Sequence, residues 1–213
     1  DTANTLVFET DATERMRITS AGDVTISSAT STKPHLTITN TNADANSPQF
    51  IFKKDSSSPA DDDEVGRIYM YGDDDAGNPF EAVLIRGITT DVSNGSEDSR
   101  LEFLTYKAGT QTSTLALNSG NVGIGTTSPA SYNAYANNLV VYENGHSGIT
   151  IVSGTTSYGS LYFADGTSST DPYRGVITYK HDDEFMMFQT SGATVTNLKL
   201  DANSRISLSN NDN

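Results

Sequence analysis

The sequence has no cysteine and no tryptophan, and it has few residues that could build an ordinary hydrophobic core. Because no thiol is present, disulfide bridges, thiolate zinc sites and cysteine nucleophiles are excluded. Leucine, isoleucine, valine and phenylalanine supply only 43 of the 213 residues, whereas threonine, serine, asparagine and glycine supply 87. An apolar share of about one fifth is close to the level at which strongly charged chains stay unfolded alone. We therefore expect the chain to bury a core only with help from other chains.

Positive charge is also scarce, since 13 lysines and arginines face 27 acidic residues and the formal net charge is -14. Phosphate binding depends on clustered lysine and arginine, so we do not expect nucleic acid as a partner. The longest apolar runs, such as residues 82–85, have about four residues, whereas a bilayer-spanning helix needs roughly twenty. We therefore expect no membrane insertion. No basic and apolar leader follows Asp1, so we expect that a signal peptide was removed or never present.

Apolar and polar residues alternate with a period of two along most of the chain, which places every second side chain on one face of a β-strand. Glycine, asparagine, aspartate and serine separate these runs at intervals of about ten residues, as is typical of short antiparallel strands. The pattern predicts an all-β fold, with a helix or a loop as alternatives only at residues 129–138. The alternating runs are 6–8, 16–18, 24–26, 36–38, 50–52, 68–71, 82–85, 101–103, 115–117, 139–142, 149–152, 161–163, 176–179, 185–188, 198–200 and 206–208.

Two stretches of the chain repeat one pattern. Residues 66–70 (GRIYM) match residues 159–163 (GSLYF), and residues 83–84 match residues 176–177, in both cases 93 positions apart. Further along, residues 108–117 match residues 191–200 at an offset of 83, because the second copy has a shorter connecting loop. We therefore predict tandem antiparallel β-rich units, each sandwich-like or prism-like.

A short β-hairpin recurs three times, with four or five polar residues at its bend and Gly22, Gly120 or Asn203 available for a positive φ. Its arms are residues 16–18 and 24–26, residues 115–117 and 122–124, and residues 198–200 and 206–208. We predict that these hairpins join the units. The expected organisation is a leading β-hairpin segment at 1–30, a first β-rich unit at 31–128 and a second at 129–213.

Residues 120–129 (GNVGIGTTSP) resemble the hairpin element that recurs in tail fibres and related virion appendages of bacteriophages. Residues 14–18 (ERMRI) and 20–24 (SAGDV) resemble the same element. Four strand-rich stretches are similar to those of marine and cyanobacterial phage structural proteins; they are residues 66–72, 82–87, 96–98 and 100–103. With the hairpin elements included, the resemblance covers nearly the whole chain. The leading copy departs from the pattern, with Thr25 where Gly123 stands, and the third departs further, with RISL at residues 205–208.

The resemblance implies an elongated homotrimeric fibre, of which this chain would form part of a shaft or knob. Many such proteins end in a self-cleaving chaperone domain, which the residues after Ile206 do not resemble. Trimerisation also answers the shortage of apolar residues, because strands of three chains can cover one another around a threefold axis. The expected partners are two further copies, other virion proteins and a host cell-surface glycan or protein, and the expected location is the virion.

Two acidic runs are candidate sites for a weakly bound cation, because hard cations prefer several carboxylate oxygens. Neither run has the alternating ligand spacing and closing glutamate of a known calcium loop, so solvated turns are the favoured interpretation. The corresponding residues of the second copy, 166–170 (GTSST), include no acidic residue, so the charge is not required by the fold of the unit. The six candidates are Asp61, Asp62, Asp63, Asp73, Asp74 and Asp75.

We predict no catalytic, cofactor or metal site from the remaining polar residues. His35, His146 and His181 are scattered, and only His181 has carboxylates beside it, so exposed loops are favoured over metal ligation or base catalysis. No serine stands in a Gly-x-Ser-x-Gly turn. Residues 123–125 lack the lysine and the following helix of a phosphate-binding loop.

Paired carboxylates of a glycan-cleaving enzyme are a further alternative. Glu81 and Glu102 lie on predicted strands, and both are interpreted as outward-facing. Strand tyrosines can stack on sugars, but we favour a role in capping the core with the hydroxyl in water. These tyrosines are Tyr69, Tyr71, Tyr106, Tyr162 and Tyr179.

Taken together, these features predict a structural segment of a virion fibre, without catalysis or cofactor, that supports attachment to a host surface. A trimeric bacterial surface adhesin is one alternative, since such adhesins are also built from β-rich chains that assemble as trimers. A glycan depolymerase tailspike is the other. If built as a β-helix, it would have rungs of about twenty to thirty residues, whereas the period here is 93.

Overall fold

The computed structural model describes residues 4–190, 192, 195–201 and 203, and throughout these residues the protein is all-β. No α-helix occurs in the described part, and the two helical segments are single 3-10 turns at Pro129–Ser131 and Asp171–Tyr173. No helix among these residues is long and apolar enough to cross a membrane. The predicted fold class is therefore confirmed at the level of an all-β protein.

Thirteen β-strands in the described residues form three open sheets. The three-stranded sheet consists of β1 (Leu6–Thr10), β2 (Thr13–Ile18) and β3 (Val24–Ile26). The six-stranded sheet consists of β4 (Asp63–Asp73), β5 (Pro79–Asp91), β6 (Asp98–Lys107), β7 (Thr110–Asn118), β8 (Asn121–Ile124) and β9 (Leu139–Val141). The four-stranded sheet consists of β10 (Tyr158–Phe163), β11 (Gly175–Lys180), β12 (Phe185–Thr190) and β13 (Val195–Leu200).

In each sheet the spatial order of the strands follows the order along the chain. Every neighbouring pair is antiparallel except β8 and β9, which run parallel. The chain divides into two compact units, Asp1–Ser57 with the three-stranded sheet and Ser58–Asn213 with the other two. The segment boundaries near residues 30 and 128 stay a prediction.

Two of the three predicted hairpins are confirmed by their registers. Arg17 lies opposite Thr25 across β2 and β3, and Leu117 lies opposite Val122 across β7 and β8. The second arm of the third hairpin, residues 206–208, lies outside the described residues. Tight bends with four or five polar residues are thus a dependable signal here, because they join strands that can pair at once.

Three predicted strands are wrong, since residues 36–38, 50–52 and 149–152 belong to no strand. Leu36 is 70% exposed, and Phe50 and Ile149 are similarly open. These runs have the right alternation of side chains, but a strand also needs a hydrogen-bonded neighbour. None is paired within the described chain.

The core of the lone chain is small. In the six-stranded sheet its buried apolar members are Leu84, Ile88, Leu104, Ala116 and Val140. In the four-stranded sheet, Val176 and Phe185 are buried. Far more large apolar side chains are exposed than buried among the described residues, as the low apolar content leads one to expect.

Candidate functional site

One face of the six-stranded sheet carries twelve neighbouring apolar side chains, which we call the aliphatic face. The register aligns them in rows across the strands, because residues directly opposite each other point to the same side. Six of the twelve are between 37% and 53% exposed. The twelve residues are Ile68, Met70, Val83, Ile85, Leu101, Phe103, Leu115, Leu117, Val122, Ile124, Leu139 and Val141.

The four-stranded sheet repeats this arrangement. One row of the six-stranded sheet is Ile68, Ile85, Phe103 and Leu115, and the matching row of the four-stranded sheet is Leu161, Ile177, Phe188 and Leu198. This register makes Ile85 equivalent to Ile177, so the sequence match of residues 83–84 with residues 176–177 is wrong by one position. A register shift follows Phe103 in the first case and Phe188 in the second. Ile149 and Ile151 line an open groove of about 340 Å³ on this apolar side. In both sheets, the alternation of side chains along the strands therefore places apolar residues on one open face.

The three-stranded sheet also has one apolar face. Leu6 lies opposite Ile18, and Ile18 lies opposite Val24. Phe8, Met16 and Ile26 form the neighbouring row. Four of these six side chains are exposed; they are Leu6, Phe8, Val24 and Ile26. All three sheets of the described chain thus present an apolar face.

The opposite face of the six-stranded sheet holds a network of ion pairs centred on Glu102. The Glu102 carboxylate accepts hydrogen bonds from Arg86 Nη2 at 2.8 Å and from Arg100 Nε at 2.5 Å. Arg86 Nη1 also donates to Glu64 Oε1 at 2.7 Å, and Glu64 pairs with Arg67. The interpretation of Glu102 as outward-facing is wrong, because its side chain is only 1% exposed beneath the two arginines. Opposite charges at facing positions of β5 and β6 were the signal that could have revealed this network.

The corresponding positions of the four-stranded sheet are not ionic. Arg86 pairs with Glu102 across β5 and β6, whereas Thr178 pairs with Met187 across β11 and β12. Thr178 is buried, and its hydroxyl lies 2.5 Å from the Ser160 hydroxyl. The charge network is therefore particular to the six-stranded sheet and is not needed to form such a sheet.

Two glycines of the GNVGIGT stretch allow the chain to pass closely over its own sheet. A Cβ on Gly123 would collide with the carbonyl oxygen of Thr126, because the chain folds back over the end of β8. Gly125 has φ of +75°, and a Cβ there would collide with the Tyr142 carbonyl oxygen beyond β9. These contacts explain the glycine spacing: it permits the crossover that brings β9 alongside β8.

The acidic candidates lie in or beside turns and accept backbone hydrogen bonds. Asp61 Oδ1 accepts from the Val92 amide at 3.0 Å, and Asp63 Oδ2 from the Ala60 amide at 3.1 Å. Asp74 Oδ1 accepts from the Asn78 amide at 2.8 Å, and the Asn78 side chain holds the pKa of Asp74 below its usual value. Among the described residues no three His, Cys, Asp or Glu side chains are grouped to hold a metal ion. Of the remaining candidates, Asp62 and Asp75 lie in the turns and Asp73 is the last residue of β4.

The tyrosines of β4 form a short row, in which Tyr71 is exposed and Tyr69 is half-buried. Tyr69 and Tyr71 have ring centroids 5.8 Å apart, and Arg67 lies over the Tyr69 ring. The Tyr71 hydroxyl donates to Glu81 Oε1 at 3.2 Å. Desolvation, reinforced by the Glu81 charge, raises the pKa of Tyr71. Tyr106 and Tyr162 are also exposed, whereas the fifth, Tyr179, is partly covered.

The carboxylates beside His181 form ion pairs with a lysine and not with the histidine. Asp183 and Asp182 both pair with Lys180, and the hydrogen bond to Asp183 is the main reason that the pKa of Lys180 is raised. The His181 ring packs edge-on against Tyr179 with centroids 5.0 Å apart. His35 lies within 3.2 Å of the Lys33 amino group. None of these arrangements joins a histidine to a set of converging acids.

No protein-family model matches the sequence, and no curated protein matches it significantly. The geometry of the chain itself must therefore carry the functional argument, and its most extensive feature is the aliphatic face.

Proposed function

We propose that this chain is a structural segment of a virion fibre, a tail fibre or appendage shaft or knob, that assembles as a homotrimer and supports host-surface attachment. The single observation that carries the proposal is the exposed aliphatic face of the six-stranded sheet. The resemblance of residues 120–129 to phage fibre hairpins supplies the virion context. No catalysis is part of the proposed role.

The size of the exposed face supports association. Ile68, Met70 and Leu139 are each close to half exposed, and Leu101, Leu117 and Ile124 follow closely. Fully burying such a side chain contributes about 2 kcal/mol, so covering these six in the assembly contributes roughly 5 kcal/mol per chain. The four-stranded and three-stranded sheets add similar faces. Contiguous apolar surface on this scale marks an interaction site in soluble proteins.

A threefold arrangement suits the distribution of polar and apolar groups. If three copies turn their apolar faces toward a common axis, the ion-pair network of Glu102 and the tyrosine row of β4 face outward. Each aliphatic face then becomes part of a shared core, which offsets the few apolar residues per chain. The outward face remains polar, as a fibre surface in water requires.

The acidic charge fits a rod that stays dispersed. Three copies carry 3 × -14 = -42 formal charges. Self-repulsion of this size keeps rods apart but opposes assembly, so counterions have to screen it. A saline environment would therefore favour the assembled form.

The test is the mass of the intact chain in solution. Sedimentation velocity is expected to give a particle of three times 22.7 kDa. Ile68→Asp, which puts a charge on the aliphatic face at a 43% exposed position, is expected to weaken association at least tenfold. Tyr71→Asp is the matched control on the same strand, 62% exposed and outside the aliphatic face, and should leave the mass unchanged. A stable, cooperatively folded monomer of the unsubstituted chain would refute the proposal.

The virion context needs its own measurement. Mass spectrometry of purified phage particles should detect peptides of this chain in stoichiometric amounts. A trimer found instead on a bacterial cell surface would assign the chain to the adhesin alternative. Release of reducing sugar from host glycan would assign it to the depolymerase alternative.

A further inference from the structure

The three-stranded sheet ends in an edge strand that has an unused candidate neighbour in the sequence. Its order is β1-β2-β3, so within the described residues β3 pairs only with β2. Val24 is 56% exposed and belongs to the apolar face. Residues 36–38 have the alternation of a strand but pair with nothing in the described chain, and Leu36 and Ile38 are exposed.

The six-stranded sheet shows what such a neighbour does. There β9 runs parallel to β8, with Val122 opposite Leu139 and Ile124 opposite Val141. The sequence around β3, GDVTI followed by KPHLTI, has the same layout as GNVGI followed by ANNLVV around β8 and β9. Transferring the register places Leu36 opposite Val24 and Ile38 opposite Ile26. Leu36 and Ile38 then extend the apolar face by one strand.

The path of the chain argues against forming this pair within one copy. Fourteen residues, 125–138, join β8 to β9, whereas only nine, 27–35, separate β3 from Leu36. Parallel neighbours need a crossover of about a dozen residues or more. The crossover after β8 also uses Gly123 and Gly125, where a Cβ would collide with the backbone. Thr25 and Ser27 occupy those positions in the first copy of the motif.

We propose that residues 36–38 of one copy pair in parallel with β3 of a neighbouring copy, with Leu36 opposite Val24 and Ile38 opposite Ile26. This strand exchange rests on the proposed homotrimer and specifies one of its contacts. It covers the open edge of the three-stranded sheet, which would otherwise be a site for uncontrolled pairing. It also gives Leu36 and Ile38 a buried place beside Val24 and Ile26.

The absence of native cysteine permits a direct test by disulfide trapping in the full chain. The double variant Val24→Cys with Leu36→Cys places a thiol at each position of the proposed pair. Directly opposed residues of paired strands have Cα atoms within the range that a disulfide bridges. Mild oxidation is expected to yield covalently linked dimers and trimers on non-reducing gels. Mixing chains that carry only Val24→Cys with chains that carry only Leu36→Cys should give linked dimers, because the two thiols come from different copies.

Two matched variants calibrate the experiment. Val122→Cys with Leu139→Cys occupies the observed pair of β8 and β9, so it should lose its free thiols without gaining mass. Val24→Cys with Ile38→Cys is two residues out of register on the same face and should cross-link at least tenfold more slowly. Both variants are compared under the same oxidant and protein concentration.

The outcomes separate this inference from the proposed function. Rapid loss of both thiols in Val24→Cys with Leu36→Cys at unchanged mass would show pairing within one chain and overturn strand exchange. A trimer by sedimentation without linked species would also overturn it, while leaving the proposed homotrimer intact. A monomer by sedimentation would refute both.

Discussion

Removing the Glu102 carboxylate is the most informative perturbation of the ion-pair network opposite the aliphatic face. Its oxygens accept hydrogen bonds from Arg86 and Arg100, and Arg86 also binds Glu64. Methionine is the natural replacement, since Met187 stands at the matching position of the four-stranded sheet. The substitution Glu102→Met leaves two guanidinium groups facing a site that no longer holds an anion. We expect the chain to lose stability although the new side chain is apolar.

The magnitude follows from the burial of the three side chains. Breaking a buried ion pair by removing one partner costs about 3–5 kcal/mol. Arg86 is 27% exposed and Arg100 is 18% exposed, so both can recover some hydration and the lower figure applies. Glu102→Met and Arg86→Thr are each expected to cost about 3 kcal/mol, whereas the double variant should cost about 4 rather than about 6. The coupling energy is then about 2 kcal/mol.

Urea unfolding of all four proteins at one fixed protein concentration measures these differences, because association itself shifts the apparent stability. Glu143→Gln is the control: Glu143 is exposed and faces Lys107 at 3.5 Å, so the change should stay within about 0.5 kcal/mol. If Glu102→Met unfolds within about 1 kcal/mol of the unsubstituted chain, or if the two single costs simply add, the account of a coupled buried network is wrong.

Two further predictions concern a glycine of β8 and two hydrogen-bonded aspartates. Gly123→Ala is expected to lower the melting temperature by several degrees, because its Cβ collides with the Thr126 carbonyl; Gly148→Ala, where nothing lies within 4 Å, should change it little. Hydrogen bonds from Asn78 and Ser93 lower the pKa of Asp74 and Asp91 in the folded chain, so their contribution is complete above about pH 5 and is lost as the pH falls through the folded pKa values. When melting is measured from pH 6 to pH 3, the melting temperature should therefore decrease once the pH is below about 4. A melting temperature that stays constant over this range would contradict the argument.

Local alternation predicted most strands because it reports which side chains share a face. It placed Leu101 and Phe103 on one strand, and the register confirms that they share a face. The same signal was wrong at residues 36–38 and 50–52, because alternation does not report whether a hydrogen-bonded neighbour is available. Alternation is a local property of the sequence, whereas strand formation also depends on pairing, and therefore on the path of the chain and on its partners.

The ion-pair network shows a second limit of reading one strand at a time. Glu102 alone has the pattern of an outward-facing residue between Leu101 and Phe103. Its burial arises from Arg86 and Arg100, and Arg86 lies directly opposite it on the neighbouring strand β5. The pairing register brings Arg86 to Glu102, whereas Arg100 lies two residues before Glu102 on the same strand. A search for opposite charges on consecutive predicted strands would have found the Arg86–Glu102 pair, but not the depth at which it lies.

The two faces of the six-stranded sheet divide the tasks of folding and assembly. The residues that the lone chain buries, Leu84, Leu104 and Ala116, lie on the same face as Glu102. The crossover after β8 folds back over this face at Gly123, where a Cβ would collide with the Thr126 carbonyl oxygen, and Asn118 Nδ2 fixes that crossover by donating to the Thr127 carbonyl at 2.9 Å. The other face is more apolar yet remains open. In the proposed fibre, the residues that a single chain buries by itself therefore lie on the face turned away from the threefold axis. The aliphatic face forms the core shared by the three chains. Substitutions on the charged face should therefore alter unfolding of the chain, whereas substitutions on the aliphatic face should alter association first.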